Sequence, residues 1–294
     1  MKPREAAASP EADLLREVRA ELRRLGLRAR TDIGQHFLID RAALQQIVTA
    51  AEFSPEDVVV EVGPGLGVLT KELARRAGLV IAVELDERLA EALLPWARAQ
   101  GNVKIVRADV LEIEPGQLVR EQAGAETYKL VANLPYYISS PVVRHFLEAS
   151  LPPRLMVVTL QREVAENMAA PPGRMSVLSV SVQLYGVPRI VAVIPPSSFF
   201  PAPQVESAVV RVDVRERPAV EVDPKLFFRI VRAGFSGRRK QLHNALRGAL
   251  WMSPANALRL VEAAEIDPRR RAQTLSLDEW AAVARAFARQ RPEG

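Results

Sequence analysis

Between residues 58 and 133, short apolar runs alternate with segments of helical spacing, and this alternation limits the possible folds more than any other feature. VVVEV (58–62), LVIAVE (79–84), VKIVRAD (103–109) and YKLVAN (128–133) are short and β-branched, as strands buried on both faces are. Residues 68–77 and 87–99 read as helices between them, and a polar connection precedes the fourth run. A helix over 141–149, a strand over 154–160 and a helix over 162–169 continue the rhythm. Strand and helix in strict turn specify a parallel sheet covered on both sides.

The rhythm changes after residue 175. SVLSVSVQLYG, PRIVAVIP and ESAVVRVDV read as strands joined by short turns, antiparallel members finishing one sheet edge. From Asp223 the text is helical, over 224–234, 238–250, 254–264 and 276–290. At the other end, EADLLREVRAELRRL (11–25) has apolar residues at 14, 15, 18, 22 and 25, an amphipathic helix stopped by Gly26; residues 41–51 form the next helix. The expected division is an N-terminal helical extension (1–30), an α/β domain (31–218) and a small all-helical domain (219–294).

Composition excludes several classes of chemistry. Without cysteine there are no disulfides, thiolate metal sites or cysteine nucleophiles, and His36, His145 and His243 are too scattered to be a metal set. No apolar run approaches the ~18 residues of a membrane span. The N-terminus lacks the apolar core of a secretory signal, which makes the cytoplasm the expected location. From Lys225 to Arg271 there are eleven basic residues against three acidic ones, whereas the whole chain carries +5. A basic block on a near-neutral body suits a polyanion, although a solvated helical face would read the same way.

EVGPGLG (61–67) follows the first of these runs and opens a helix, so its glycines permit a tight turn and close approach of a ligand. The third glycine of the dinucleotide signature is absent, and no lysine follows as in a nucleotide-phosphate loop. Glu84 ends the next strand, where a carboxylate can accept ribose hydroxyls; Asp109 ends the third, where one can meet an adenine amine. Each could instead be a cap or turn residue. Three such features at successive strand ends favour an adenosine-bearing ligand, with NAD and S-adenosylmethionine both open.

VANLPYYISS (131–140) closes the fourth strand on the same rim. An exocyclic amine of adenine or cytosine is a poor nucleophile, because its lone pair is delocalised into the ring. A carboxamide oxygen at Asn133 and a neighbouring carbonyl could accept its N–H groups and aim the lone pair. Pro135 fixes its own φ and extends Leu134, and Tyr136 offers a face for a flipped base. A strand-to-loop turn with buried tyrosines is the plainer alternative.

NLPYYIS (133–139) resembles the fourth motif of the rRNA adenine N6 methyltransferases, and the match runs in order along the chain. GQHFLID (34–40), EVGPGLGVLT (61–70), SSFFPAPQVESAVVR (197–211), AGFSGRRKQLHNAL (233–246) and RRAQTLSLDEWAAVARA (270–286) resemble further family segments. The small-subunit rRNA adenine dimethyltransferases are the branch they resemble, over roughly residues 20–290.

The resemblance implies a class I, Rossmann-like methyltransferase with a seven-stranded doubly wound sheet and an all-α C-terminal domain. It implies S-adenosylmethionine held by His36, Leu38, Gly63, Gly65, Glu84, Leu85, Asp109, Val110 and Asn133. Asn133, Leu134, Pro135 and Tyr136 would hold the target amine, and Phe199 would stack on the base, or Phe200 if the register slips. Arg238, Arg239, Lys240, Arg247, Arg269 and Arg270 are its candidate RNA contacts. The implied reaction dimethylates two adjacent adenines near the end of 16S rRNA within the 30S subunit, by a monomer without metal.

Gln204 stands where the family often has lysine, and Asp32 interrupts a usually basic lead-in. Three other functions compete: a 23S rRNA adenine methyltransferase, a ribosome-assembly factor that mainly binds, and an NAD-dependent oxidoreductase. The last would need a hydride-handling site that the sequence does not offer. Trp96, Trp251 and Trp280 lie in helical text and read as packing residues.

Overall fold

The computed structural model describes residues 10–30, 34–237 and 239–290. Asp32 and Arg238 lie outside the described residues. In chain order the elements are α1 (Pro10–Arg24), β1 (Phe37–Leu38), α2 (Arg41–Ala50), β2 (Val58–Val62), α3 (Val68–Ala74), β3 (Leu79–Glu84), α4 (Glu87–Gln100) and β4 (Val103–Arg107). Next come α5 (Pro115–Ala123), β5 (Lys129–Asn133), α6 (Ser139–Leu147), β6 (Leu155–Gln161), α7 (Arg162–Met168), α8 (Val177–Tyr185) and β7 (Gly186–Ile194). The last are β8 (Phe199–Phe200), β9 (Ser207–Val214), α9 (Pro224–Gly234), α10 (Leu242–Leu250), α11 (Pro254–Ala263) and α12 (Leu277–Gln290).

Seven strands form one sheet in the order β4-β3-β2-β5-β6-β9-β7. β4, β3, β2, β5 and β6 run parallel, and β9 joins β6 antiparallel, with Val157 opposite Arg211. Winding proceeds outward from β2 to β4 on one side and from β5 to β6 on the other. Between β2 and β5 lies the switch point, where the connections diverge and open a crevice beyond the strand ends. Val59, Val60, Val80, Ile81, Leu130, Val131 and Val157 are wholly buried, which explains why these strands read as continuous apolar runs.

A buried polar clamp closes the opposite end of the sheet. Lys129 donates from Nζ to the carbonyls of Ala51 (2.9 Å) and Glu52 (2.6 Å) and pairs with Asp57 at 2.7 Å. Asp57 also pairs with Arg154.

Two compact units result, one of residues 1–165 and 189–214, the other of 166–188 and 215–294. The sequence reading put one boundary at 218/219; the helical unit instead draws a second segment from the middle of the chain. α1 is no separate extension, since Val18 and Leu22 are buried with Phe37, Leu66 and Leu89.

The main departure is at 176–186, which read as a strand and is α8. Ser179 and Ser181 are buried within it. Ser179 Oγ donates to Asn167 O (2.6 Å) and Ser181 Oγ to Val177 O (2.8 Å), so a backbone carbonyl satisfies each hydroxyl. Ser176 and Ser179 form a capping box at its start. In the helical unit α8 packs against α9, and Val180, Leu184, Phe227, Ile230, Leu246, Leu260 and Trp280 share its core.

Candidate active site

A cavity of about 320 Å³ lies at the switch point. Gly63, Gly65 and Leu66 after β2, Glu84 and Leu85 at the end of β3, and Asp109 and Val110 after β4 line one part. Asn133, Leu134, Pro135, Tyr136 and Phe199 line another, beside the 34–38 segment that contains His36 and Leu38. All thirteen residues expected at the cofactor, the target amine or the target base therefore meet in this cavity. Sequence position scatters them over 164 residues; the parallel sheet gathers them because its strand ends share one rim.

The glycine loop is shaped by what touches it. Gly65 has φ 57°, and a Cβ there would lie 3.1 Å from the Phe37 ring. Gly67 has φ 78° and faces Leu93, where a Cβ would lie 2.6 Å away; its role is to seat α3 against α4. Gly65 N–H donates to Glu84 Oε2 (3.0 Å) and Asp86 N–H to Oε1 (2.9 Å). Burial raises the Glu84 carboxyl above the usual carboxylate range, opposed by those two main-chain donors. Asp109 accepts from Leu111 N–H at 2.9 Å through Oδ1, so it is both a cap and a wall of the cavity.

β1 pairs antiparallel with β8, Phe37 opposite Phe200 and Leu38 opposite Phe199, which fastens the 34–38 segment over the crevice. Asn133 Nδ2 then donates to His36 O at 3.2 Å. With the amide nitrogen turned to that carbonyl, Oδ1 remains as the acceptor. His36 Nδ1 donates to Pro201 O at 2.7 Å, and its ring lies 5.4 Å from that of Tyr136. Tyr136 OH shares a 2.6 Å hydrogen bond with Ser207 Oγ, and burial raises its pKa.

The carbonyls of Pro135 and Tyr136 accept from Ile138 N–H (3.2 Å) and Ser139 Oγ–H (3.1 Å). Leu134 is buried and donates its N–H to Thr159 O at 3.0 Å, tying the motif to β6. Of the two adjacent phenylalanines, Phe199 lines the cavity; Phe200 packs instead with the α1 cluster, under the Arg19 guanidinium at 4.8 Å.

Two residues were not singled out from sequence. Glu61, inside the quoted loop, lines the cavity at 1% exposure, and its Oε2 has no hydrogen-bond partner. Burial pushes its carboxyl up to about 8, with Thr70 opposing and Glu84 adding to the shift. Ser207 anchors Tyr136 from β9. Its signal, a serine at the start of an apolar strand, is too common to stand out.

The basic residues separate by role. Arg239, Lys240, Arg247, Arg269 and Arg271 are exposed, whereas Arg270 is committed to Glu279 and to Thr274 O (2.6 Å). The Arg270 guanidinium joins α12 to the preceding loop. Arg239 and Lys240 lie in a turn before Gln241, the N-cap of α10, and not in the helix. Trp280 is fully buried and Trp96 packs on the sheet core, but Trp251 is 94% exposed and no packing residue. His145 and His243 bond Ile113 O (2.7 Å) and Pro268 O (2.8 Å), as structural histidines do.

The family model described as ribosomal RNA adenine dimethylase matches residues 26–286. The chain belongs to that family. It is a methyltransferase of the S-adenosylmethionine-dependent class, as the motifs implied. A relative from Dehalococcoides mccartyi (strain 195), named ribosomal RNA small subunit methyltransferase A, is 47% identical over 275 residues, 93% of this chain and 94% of that one. A Moorella thermoacetica protein of the same name is 43% identical over 276 residues, 91% and 96% of the two chains.

Among solved structures, the 23S rRNA methyltransferase ErmE superposes with a TM-score of 0.66 at 28% identity, over 86% of this chain and 99% of that one. A dimethyladenosine transferase from Plasmodium falciparum gives 0.72 at 23% identity, over 86% and 98%, which shows the shared fold. No helix among the described residues is long and apolar enough to cross a membrane. No group of three or more His, Asp or Glu among them is placed to hold a metal ion.

The cavity fits the adenosine-bearing methyl donor. Carboxylates stand at two successive strand ends, a glycine turn leaves the backbone exposed to a ligand, and the buried orphan oxygen of Glu61 provides a place for a cationic group.

Proposed function

We propose that this enzyme dimethylates N6 of two adjacent adenines near the 3′ end of small-subunit rRNA, acting in the cytoplasm on the small ribosomal subunit. The orientation of the Asn133 amide carries this reading: Nδ2 is held by His36 O, which leaves Oδ1 as a neutral acceptor on the cavity wall. S-adenosylmethionine supplies an electrophilic methyl group on a sulfonium. Glu84 would accept from the ribose hydroxyls and Asp109 from the adenine amine of that donor. Asn133 Oδ1 would accept one N–H of the target amine and direct its lone pair inward. Being uncharged, it holds the amine without competing for its proton. Tyr136 and Phe199 would flank the base, and positioning supplies most of the rate.

Exposed Arg239, Lys240, Arg247 and Arg269 would meet rRNA phosphates. The names of the 43–47% identical relatives favour the small subunit over the 23S rRNA named for the 28% identical ErmE. Tritiated methyl transfer to isolated 30S and 50S particles decides between them, and primer extension over the 3′ end of the small-subunit rRNA locates the product. Modification of 50S particles alone would overturn the proposal.

A further inference from the structure

α10 ends in a way that folding does not require. Trp251 caps it at φ 56° and ψ 40°, a left-handed position that glycine usually fills, and its N–H closes the helix on Arg247 O. Its indole is 94% exposed. Three residues earlier is Gly248, a helix-weakening residue in the last turn. A Cβ added at Gly248 would meet nothing within 4 Å, so packing does not demand glycine there. Arg247, whose carbonyl accepts the Trp251 N–H, is exposed in the same last turn.

Charge identifies the occupant. Lys225–Arg271 holds eleven basic residues against three acidic ones. Among the described residues, Arg239, Lys240 and Arg247 are exposed and enter no ion pair. Arg239 and Lys240 stand just before α10 and Trp251 just after it, about 15 Å apart at ~1.5 Å per residue, a span of a few nucleotides.

We propose that Trp251 is a stacking platform for an unpaired RNA base, with Arg247, Arg239 and Lys240 holding the phosphates of the same strand. The inference rests on the rRNA reading above and adds a second, non-catalytic base contact to it. Stacking on an aromatic ring tolerates any base, so this contact contributes grip and not sequence choice.

The test uses the full-length protein with naked 16S rRNA, a 12-residue oligoadenylate and intact 30S particles as separate probes. Comparison with Trp251→Phe isolates the red-shifted Trp251 emission from the buried indoles. Naked rRNA and oligoadenylate are expected to quench that emission and shield it from acrylamide. Trp251→Ala should weaken both complexes by roughly five- to a hundred-fold, the range of one lost stack, and Trp251→Phe by much less.

Unchanged acrylamide access in the RNA complex, or parental affinity in Trp251→Ala, overturns the proposal. Weakened binding to 30S particles with naked rRNA held as before also overturns it, and assigns the indole to a protein contact. A parent that binds no rRNA at all removes the rRNA reading itself.

Discussion

Asn133 and His36, 97 residues apart in sequence, are joined by a hydrogen bond from the side-chain Nδ2 of one to the main-chain oxygen of the other, at 3.2 Å. This bond sets which end of the carboxamide is left for a substrate. An aspartate would present two acceptors, one facing the His36 carbonyl. Asn133→Asp is therefore expected to lose the orientation as well as the neutrality of the site, and Asn133→Ala to lose the acceptor. Both should lower kcat by at least about 100-fold, the usual cost of one preorganised hydrogen-bonding group. Cofactor affinity, measured by calorimetry, should fall less than tenfold. Full methyl incorporation by Asn133→Ala would refute its assignment.

Tyr136 and Ser207 form the second pair that shapes the cavity, at 2.6 Å. Removing the serine hydroxyl leaves a mostly buried phenol without its partner. Ser207→Ala should cost about 1–3 kcal/mol in stability, by the penalty for a buried unsatisfied polar group. Tyr136→Phe keeps the ring that faces the cavity and should retain kcat within about tenfold, while Tyr136→Ala should not. The double variant Tyr136→Phe with Ser207→Ala should be more stable than Ser207→Ala alone, because both polar atoms are gone. Additive losses in a double-mutant cycle of denaturant unfolding would show that the hydroxyls are not coupled.

These pairs mark the limit of what sequence could disclose. The strands, the glycine loop and the acids at strand ends were legible, because β-branched runs, glycines and strand-terminal carboxylates each have a local cause. Strand and helix in turn specify parallel neighbours whose carboxyl ends share one edge, so the rim that unites Glu84, Asp109 and Asn133 was legible too. Tertiary partners were not. Residues 176–186 read as a strand because no local pattern tells which serine will donate to a carbonyl and disappear into a helical core. Trp251 read as packing because helical text alone does not say where the helix stops or which way its last residue turns.

Glu61 gives a pH prediction with a definite sign. Its ordinary value is 4.5 and burial raises it to about 8. Below pH 4.5 it is protonated in both folded and unfolded chains, and its contribution to stability is fully present. As pH rises from there, the unfolded chain ionises first, so that contribution is lost progressively up to about pH 8 and changes no further above it. The total is on the order of 5 kcal/mol as an upper figure. Glu84, also raised by burial, acts in the same direction. Glu61→Gln should flatten the fall in unfolding free energy between pH 5 and 8, measured in urea without ligand. An identical pH slope in parent and variant would mean that Glu61 is ionised in the folded protein.

The clamp at Lys129 predicts a stability loss far from the chemistry. Lys129 and Asp57 are 4% and 6% exposed at the side chain, so neither charge is solvated by water. Burial works to raise the Asp57 carboxyl, but the Lys129 ammonium, with Ser54 N–H and Arg154, overcomes this and holds it below its ordinary value. Lys129→Met keeps the apolar stem but strips Asp57 of its buried partner and leaves the Ala51 and Glu52 carbonyls without a donor. Removing one member of a buried pair typically costs about 3–5 kcal/mol, and the remaining Arg154 contact puts the expectation at the lower end. The double variant Lys129→Met with Asp57→Asn removes both charges and should recover part of that loss. Methyl transfer at a temperature where the variant is folded should stay near the parent's, because the clamp sits at the end of the sheet opposite the cavity. A Lys129→Met protein with parental stability would show that the ammonium contributes nothing net, its desolvation cancelling its bonds.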